Sequence, residues 1–155
     1  MFGTRPMRET ITAALKDATK SQDKRRMSTL RLVSAAIKDR DIAARTAGKT
    51  RATDAELLEL FAKMIKQREE SQKIYANAGR AELAKQEGEE IEIIREFLPK
   101  QLSDKETERA IAAAIVESGA TSVKDMGKVM AALKARYAGQ MDFAKASATV
   151  KAKLL

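Results

Sequence analysis

Cysteine, histidine and tryptophan are all missing from this chain of 155 residues. Without cysteine there is no disulfide, no thiolate nucleophile and no sulfur-held metal, and nothing marks an oxidising compartment. Without histidine the chain lacks the side chain best suited to proton transfer near neutral pH and a principal zinc ligand. Catalysis would have to rest on Asp, Glu, Lys, Ser, Thr or Tyr. Aromatic residues make up only 4%, so any core must be aliphatic and platforms for stacking exposed bases are scarce. No apolar run approaches the length that spans a bilayer. The opening residues, Met1 to Arg8, lack the apolar stretch of a secretory signal. The expected location is therefore the cytoplasm, with no membrane partner. Finally, no segment alternates Val, Ile, Thr and aromatics with polar residues, so no strands are expected.

What is present is helical. Proline occurs only at Pro6 and Pro99, and most of the seven glycines fall where helices should stop. Apolar residues at helical spacing predict helices over about Met7–Ser21, Lys24–Ala47, a third to Ala78, Arg80–Leu98, and three shorter ones beyond. Two stretches, Thr53-Asp54-Ala55-Glu56 and Ser103-Asp104-Lys105-Glu106, read as capping boxes, in which hydroxyl and carboxylate satisfy each other's orphan amides. Ser122 with Asp125 opens the sixth helix, and Asp142 caps the seventh. Pro99 removes a donor and pushes Leu98 away from helical geometry. The expected architecture is all-α, with an N-terminal bundle of about four long helices over residues 1–98 and a C-terminal three-helix domain over 99–155. Gly127, inside the sixth helix, costs roughly 1 kcal/mol against Ala, which points to close approach by a neighbouring helix or by a bound partner.

Charge is unevenly placed. Residues 1–51 hold 13 basic and 5 acidic residues, net +8; residues 52–98 hold 7 and 11, net −4; residues 99–155 hold 10 and 6, net +4. A basic excess favours a polyanionic partner, nucleic acid first. The acidic third and fourth helices should either face away from such a partner or pair with the basic second helix. On that second helix Arg31, Lys38 and Arg45 recur every seven residues, a stripe that drifts only about 20° per heptad. It reads either as a phosphate-tracking ridge or as a solvated face neutralised through Asp41. In the last domain Lys124, Lys128, Lys134, Arg136 and Lys151 decorate the outer faces of the sixth and seventh helices.

Other patterns carry no chemistry. Gly48-Lys49-Thr50 imitates the end of a phosphate-binding loop, but Ala43 stands where that loop needs glycine and no strand precedes it. Glu89, Glu92 and Glu96 share a helical face without histidine, so a charged solvent face is the simpler reading than a metal site. Ser28, Ser34, Ser71 and Ser147 have no histidine base. No catalytic residue, metal site or cofactor is expected.

Several strings together identify a resemblance. Arg31-Leu32 with Ala35-Ala36-Ile37-Lys38, Lys63-Met64-Ile65-Lys66-Gln67-Arg68 with Ser71, and Ala78-Gly79-Arg80 with Leu83, Glu87 and Glu90-Ile91 are followed by Leu98-Pro99-Lys100-Gln101-Leu102. Then come Lys124-Asp125-Met126-Gly127-Lys128-Val129-Met130, Gly139, Asp142, Val150-Lys151 and Leu154. Over nearly its whole length the chain resembles the YqeY-like family. That family is similar to the C-terminal tail of the GatB component of the aspartyl/glutamyl-tRNA amidotransferase, a helical appendage that contacts tRNA, and nothing here resembles the catalytic parts of that enzyme. The resemblance implies a freestanding tRNA-binding-like accessory protein that takes tRNA or another structured RNA, with amidotransferase or synthetase components as further partners. Phe143-Ala144 after Asp142 departs from the Gly and Lys frequent in relatives, which weakens a phosphate-binding role for that turn. The other readings are a helical protein–protein adaptor and an accessory component of a carbon–nitrogen ligase that uses glutamine as amido donor.

Overall fold

The computed structural model describes residues 6–155; Met1–Arg5, part of the stretch read above for a leader, lie outside the described residues. It is all-helical, with α1 (Met7–Lys20), α2 (Lys24–Thr46), α3 (Asp54–Asn77), α4 (Ala81–Arg95), α5 (Asp104–Ser118), α6 (Met126–Tyr137) and α7 (Phe143–Leu154). A single 3-10 turn, Val123–Asp125, leads into α6. Two compact units divide at Leu98 and Pro99.

The helix ends follow from local chemistry. Thr53 and Ser103 form the capping boxes read from sequence: each hydroxyl accepts from the amide of Glu56 or Glu106, and each glutamate accepts in return from the cap amide. Asp23 accepts from the Arg26 amide at the start of α2, and Asp142 from the amides of Ala144 and Lys145 at the start of α7. At the far ends of α3 and α5, Gly79 and Gly119 take left-handed φ values of +74° and +68°, which an L side chain rarely adopts. Their turns let the amides of Arg80 and Ala120 reach back to the carbonyls of Tyr75 and Ile115. The fourth helix is shorter than its apolar pattern predicts. It ends at Arg95, and the amides of Phe97 and Leu98 bond three residues back, to Ile94 and Arg95. The last turn tightens in this way because Pro99 disfavours α geometry at the residue before it.

In the first unit Ile11, Val33, Ile37, Leu57, Phe61 and Ile94 belong to one aliphatic core. Each such buried side chain contributes about 1.5–3 kcal/mol. α3 and α4 form the most extensive helix pair, while α2 packs on α1, α4 and α3. Between Ile65 and Glu90, however, no residue of the α3–α4 hairpin is fully buried, and Leu83, expected inward, is only half-buried. There the hairpin is glued by polar groups. Glu90 is 6% exposed; its Oε1 lies 3.4 Å from Arg68 Nε, and its Oε2 accepts from Gln86 Nε2 at 3.3 Å. Arg68 Nη1 donates to the Met64 carbonyl, while Arg68 Nε is buried without a hydrogen bond. At Gly88 the side chain of Gln72 occupies the space a Cβ would need, with its Nε2 2.8 Å from that position.

The neighbouring Glu87 has its carboxyl pushed up from the ordinary range, first by burial and then by the Glu90 charge, against the pull of Arg68. A carboxyl raised by folding contributes stability below its unfolded value, and that stability is lost as pH rises through the folded one. Glu87→Gln is therefore expected to melt higher than the parent chain at pH 7. The gain should shrink to nothing by about pH 3, where the Glu87 side chain is neutral in both states. Thermal melts of the two chains across pH check this.

The second unit closes over a smaller core that includes Ile111, Val129, Leu133, Ala146, Val150 and Leu154. α5, α6 and α7 pack pairwise around it. Its linker is tied back by the Leu102 amide, which donates to the Gln140 carbonyl at 2.9 Å, and by Gln101 Nε2, which donates to the Gly139 carbonyl.

Candidate nucleic-acid interface

The cations of α2 sort into two sets. Arg25 pairs with Glu89 at 3.2 Å, Arg26 with Glu96, and Arg40 with Glu56 at 2.8 Å. The acidic helices thus pair with the basic one, the second of the two arrangements the charge distribution allowed. Glu92 pairs with Arg95 within α4, so each member of the Glu89, Glu92, Glu96 set is engaged with an arginine. The second set, Arg31, Lys38 and Arg45, is exposed and forms no ion pair among the described residues; Arg45 Nε donates to the Thr50 carbonyl at 3.3 Å. Asp41, read from spacing as their neutraliser, makes its ion pair elsewhere, although the Arg45 charge still acts on its carboxyl. It pairs with Arg8 and accepts from the Ala52 amide at 2.9 Å. Arg8 also donates to the Ala52 carbonyl at 2.7 Å. The hydrogen bond from Arg8, helped by the Ala52 amide, holds the Asp41 carboxyl below its ordinary range. The partner is 33 residues away in sequence, which helical spacing cannot signal.

In the second unit Lys124 stands on the 3-10 turn, Lys128, Lys134 and Arg136 on α6, and Lys151 on α7; all five are exposed. Among the described residues only Arg136 has an ion-pair partner, Glu117 at 2.9 Å. Three of the unit's six carboxylates are committed to backbone. Glu106 serves the α5 cap, Asp142 the α7 cap, and Asp125 accepts from the amides of Thr121 and Ser122 at 2.9 and 3.3 Å. The Thr121 amide chiefly, then the Ser122 amide and the Lys128 charge, hold the Asp125 carboxyl low. Asp104, Glu108 and Asp142 line an open cleft of about 430 Å³ at the starts of α5 and α7, which Lys124, Lys128 and Lys134 do not line. Lys145 also lines this cleft, so acidic and basic groups are not segregated in this unit, although those three lysines lie outside the cleft.

Gly127 lies exposed on α6, and a Cβ added there would meet nothing within 4 Å. The close neighbouring helix expected there from sequence is absent; the helical glycine with a close neighbour is Gly88, against the Gln72 side chain. On α6 the exposed residues Gly127, Ala131 and Ala135 run between Lys134 and Lys128 at 100° per residue. This leaves a strip with no side chain larger than a methyl between two lysines. Gly127→Ala is expected to raise stability by up to about 1 kcal/mol, because the added methyl meets nothing. A melt that falls would contradict the geometry.

No aromatic ring among the described residues is fully exposed. Phe61 is buried, Phe97 packs on the first core, Tyr137 and Phe143 pack on the second, and Tyr75 is half-buried. The surface therefore offers charge and backbone contact rather than base stacking.

A family model for Yqey-like protein matches residues 8–154, and the chain belongs to that family. No curated protein gives a significant match. No helix among the described residues is long and apolar enough to cross a membrane.

Proposed function

We propose that the chain is a freestanding, non-enzymatic RNA-binding accessory protein, related through its family to the tRNA-contacting tail of the tRNA-dependent amidotransferase. The C-terminal unit makes the contact, with Lys124, Lys128, Lys134, Arg136 and Lys151 meeting phosphates of a structured RNA such as tRNA. The observation that carries this reading is the exposure of those cations: among the described residues the four lysines form no ion pair, while three of the unit's six carboxylates are engaged by cap or turn amides. Such cations are available to displace the counterions of a polyanion. The absence of a fully exposed ring among the described residues supports recognition of folded, double-helical backbone over unstacked bases. The methyl-low strip on α6 supports close approach of a sugar–phosphate strand.

A mobility shift with total tRNA and, separately, with single-stranded polyuridine tests the proposal. Tighter binding of tRNA is expected. Binding of neither, or of the single strand alone, would overturn it.

A further inference from the structure

α2 is a helix with two working faces. Leu30, Val33, Ile37 and Ala44 are buried on one side. On the other, Ser28, Leu32, Ala35, Asp39, Ile42 and Thr46 follow one another at alternating steps of four and three residues, and all six are exposed. That alternation is the a/d spacing of a coiled-coil seam. Leu32 and Ile42 are 50% and 58% exposed, although α2 is flanked by α1, α3 and α4. In the same register Lys24, Arg31, Lys38 and Arg45 occupy successive g positions, the flank that sets partner choice through charge. None of the four forms an ion pair among the described residues, whereas Arg25, Arg26 and Arg40, at other positions of the same helix, all do.

We infer that this face docks an acidic amphipathic helix of a partner protein, its apolar stripe against Leu32, Ala35 and Ile42 and its carboxylates against Lys24, Arg31, Lys38 and Arg45. Charge complementarity selects this occupant. A second copy of the same face brings four more cations and a second Asp39 into the seam, so self-pairing is disfavoured. The chain's own C-terminal unit is itself basic, net +4. RNA satisfies the cations but gains nothing from covering Leu32 and Ile42, whereas an apolar helix stripe removes both from water.

The probe is a synthetic peptide of about four heptads with leucine at a and d and glutamate at e and g, titrated against the full chain by fluorescence anisotropy. A scrambled peptide of the same composition and a short duplex RNA run alongside. Saturable binding of the heptad peptide is expected, weakened at least ~10-fold, or about 1.4 kcal/mol, both by Leu32→Asp with Ile42→Asp and by Arg31→Glu with Lys38→Glu. Circular dichroism checks that both double variants keep their helices, since every altered side chain is exposed. Lys124→Ala with Lys128→Ala should leave peptide binding unchanged, which separates this inference from the RNA reading of the other unit. Equal binding of the scrambled peptide overturns the inference. So does wild-type affinity in the Leu32/Ile42 variant, a dimer of the chain through this face, or duplex RNA binding that is lost only in the Arg31/Lys38 variant.

Discussion

Replacing Lys124, Lys128, Lys134 and Lys151 together with alanine is expected to weaken tRNA binding about 100-fold at low salt while leaving the melting temperature essentially unchanged. A hundredfold is about 2.7 kcal/mol, under 1 kcal/mol per lysine, which is the size expected of exposed charge contacts. Stability should not follow affinity, because none of the four side chains is buried or takes part in an ion pair among the described residues. The two readouts therefore separate a binding surface from a merely solvating one. Affinity within threefold of the parent chain would remove these lysines from the interface. Arg136 is left out of the set because its guanidinium is held by Glu117, so its substitution would mix a lost contact with a freed carboxylate.

The second large effect is on the α3–α4 hairpin. Glu90→Ala is expected to cost about 2–3 kcal/mol, because removing one partner of a buried pair leaves the other charge uncompensated. Arg68 and Glu90 have side chains 16% and 8% exposed, so little water can take Glu90's place. The loss should stop short of the extreme for such pairs because Glu87 also interacts with Arg68. Substituting both members with apolar residues of similar volume, Arg68→Met with Glu90→Leu, should restore most of the stability. Denaturant unfolding of the three variants is the measurement. A double variant as unstable as the single one would mean that the pair does more than neutralise itself.

Most of the fold was legible in the sequence because it is written locally. The capping boxes at Thr53 and Ser103, the cap at Asp142 and the glycine stops at Gly79 and Gly119 are decided by residues within a turn or two of one another. The all-helical class follows from the 3.6-residue apolar period alone, without any alternating segment. What was not legible depends on helix pairing. Asp41 lies at ideal spacing from Lys38 and Arg45, yet Arg8 and the Ala52 amide capture it, because a partly buried site with two donors outcompetes an exposed neighbour. Gly127 and Gly88 are both helical glycines, and only the packing of α3 on α4 tells which one faces a neighbour. The candidate cations were visible as a pattern, but their freedom from partners depends on where the carboxylates go. On α2 those carboxylates come from α3 and α4. In the C-terminal unit three of the six go to backbone amides. The exposed Leu32 and Ile42 on α2 could have been noticed beside the seven-residue repeat of Lys24, Arg31, Lys38 and Arg45, but their ten-residue separation forms no heptad repeat of its own.

The salt dependence of tRNA binding by the full chain tests the central claim most directly. If the four lysines and Arg136 meet phosphates, log Kobs should fall linearly against log salt with a slope of about −4 to −5, and the slope for the quadruple lysine variant, which keeps Arg136, should fall to about −1. A slope near zero for the parent chain, or the same steep slope in both chains, would contradict the assignment of the interface to this unit.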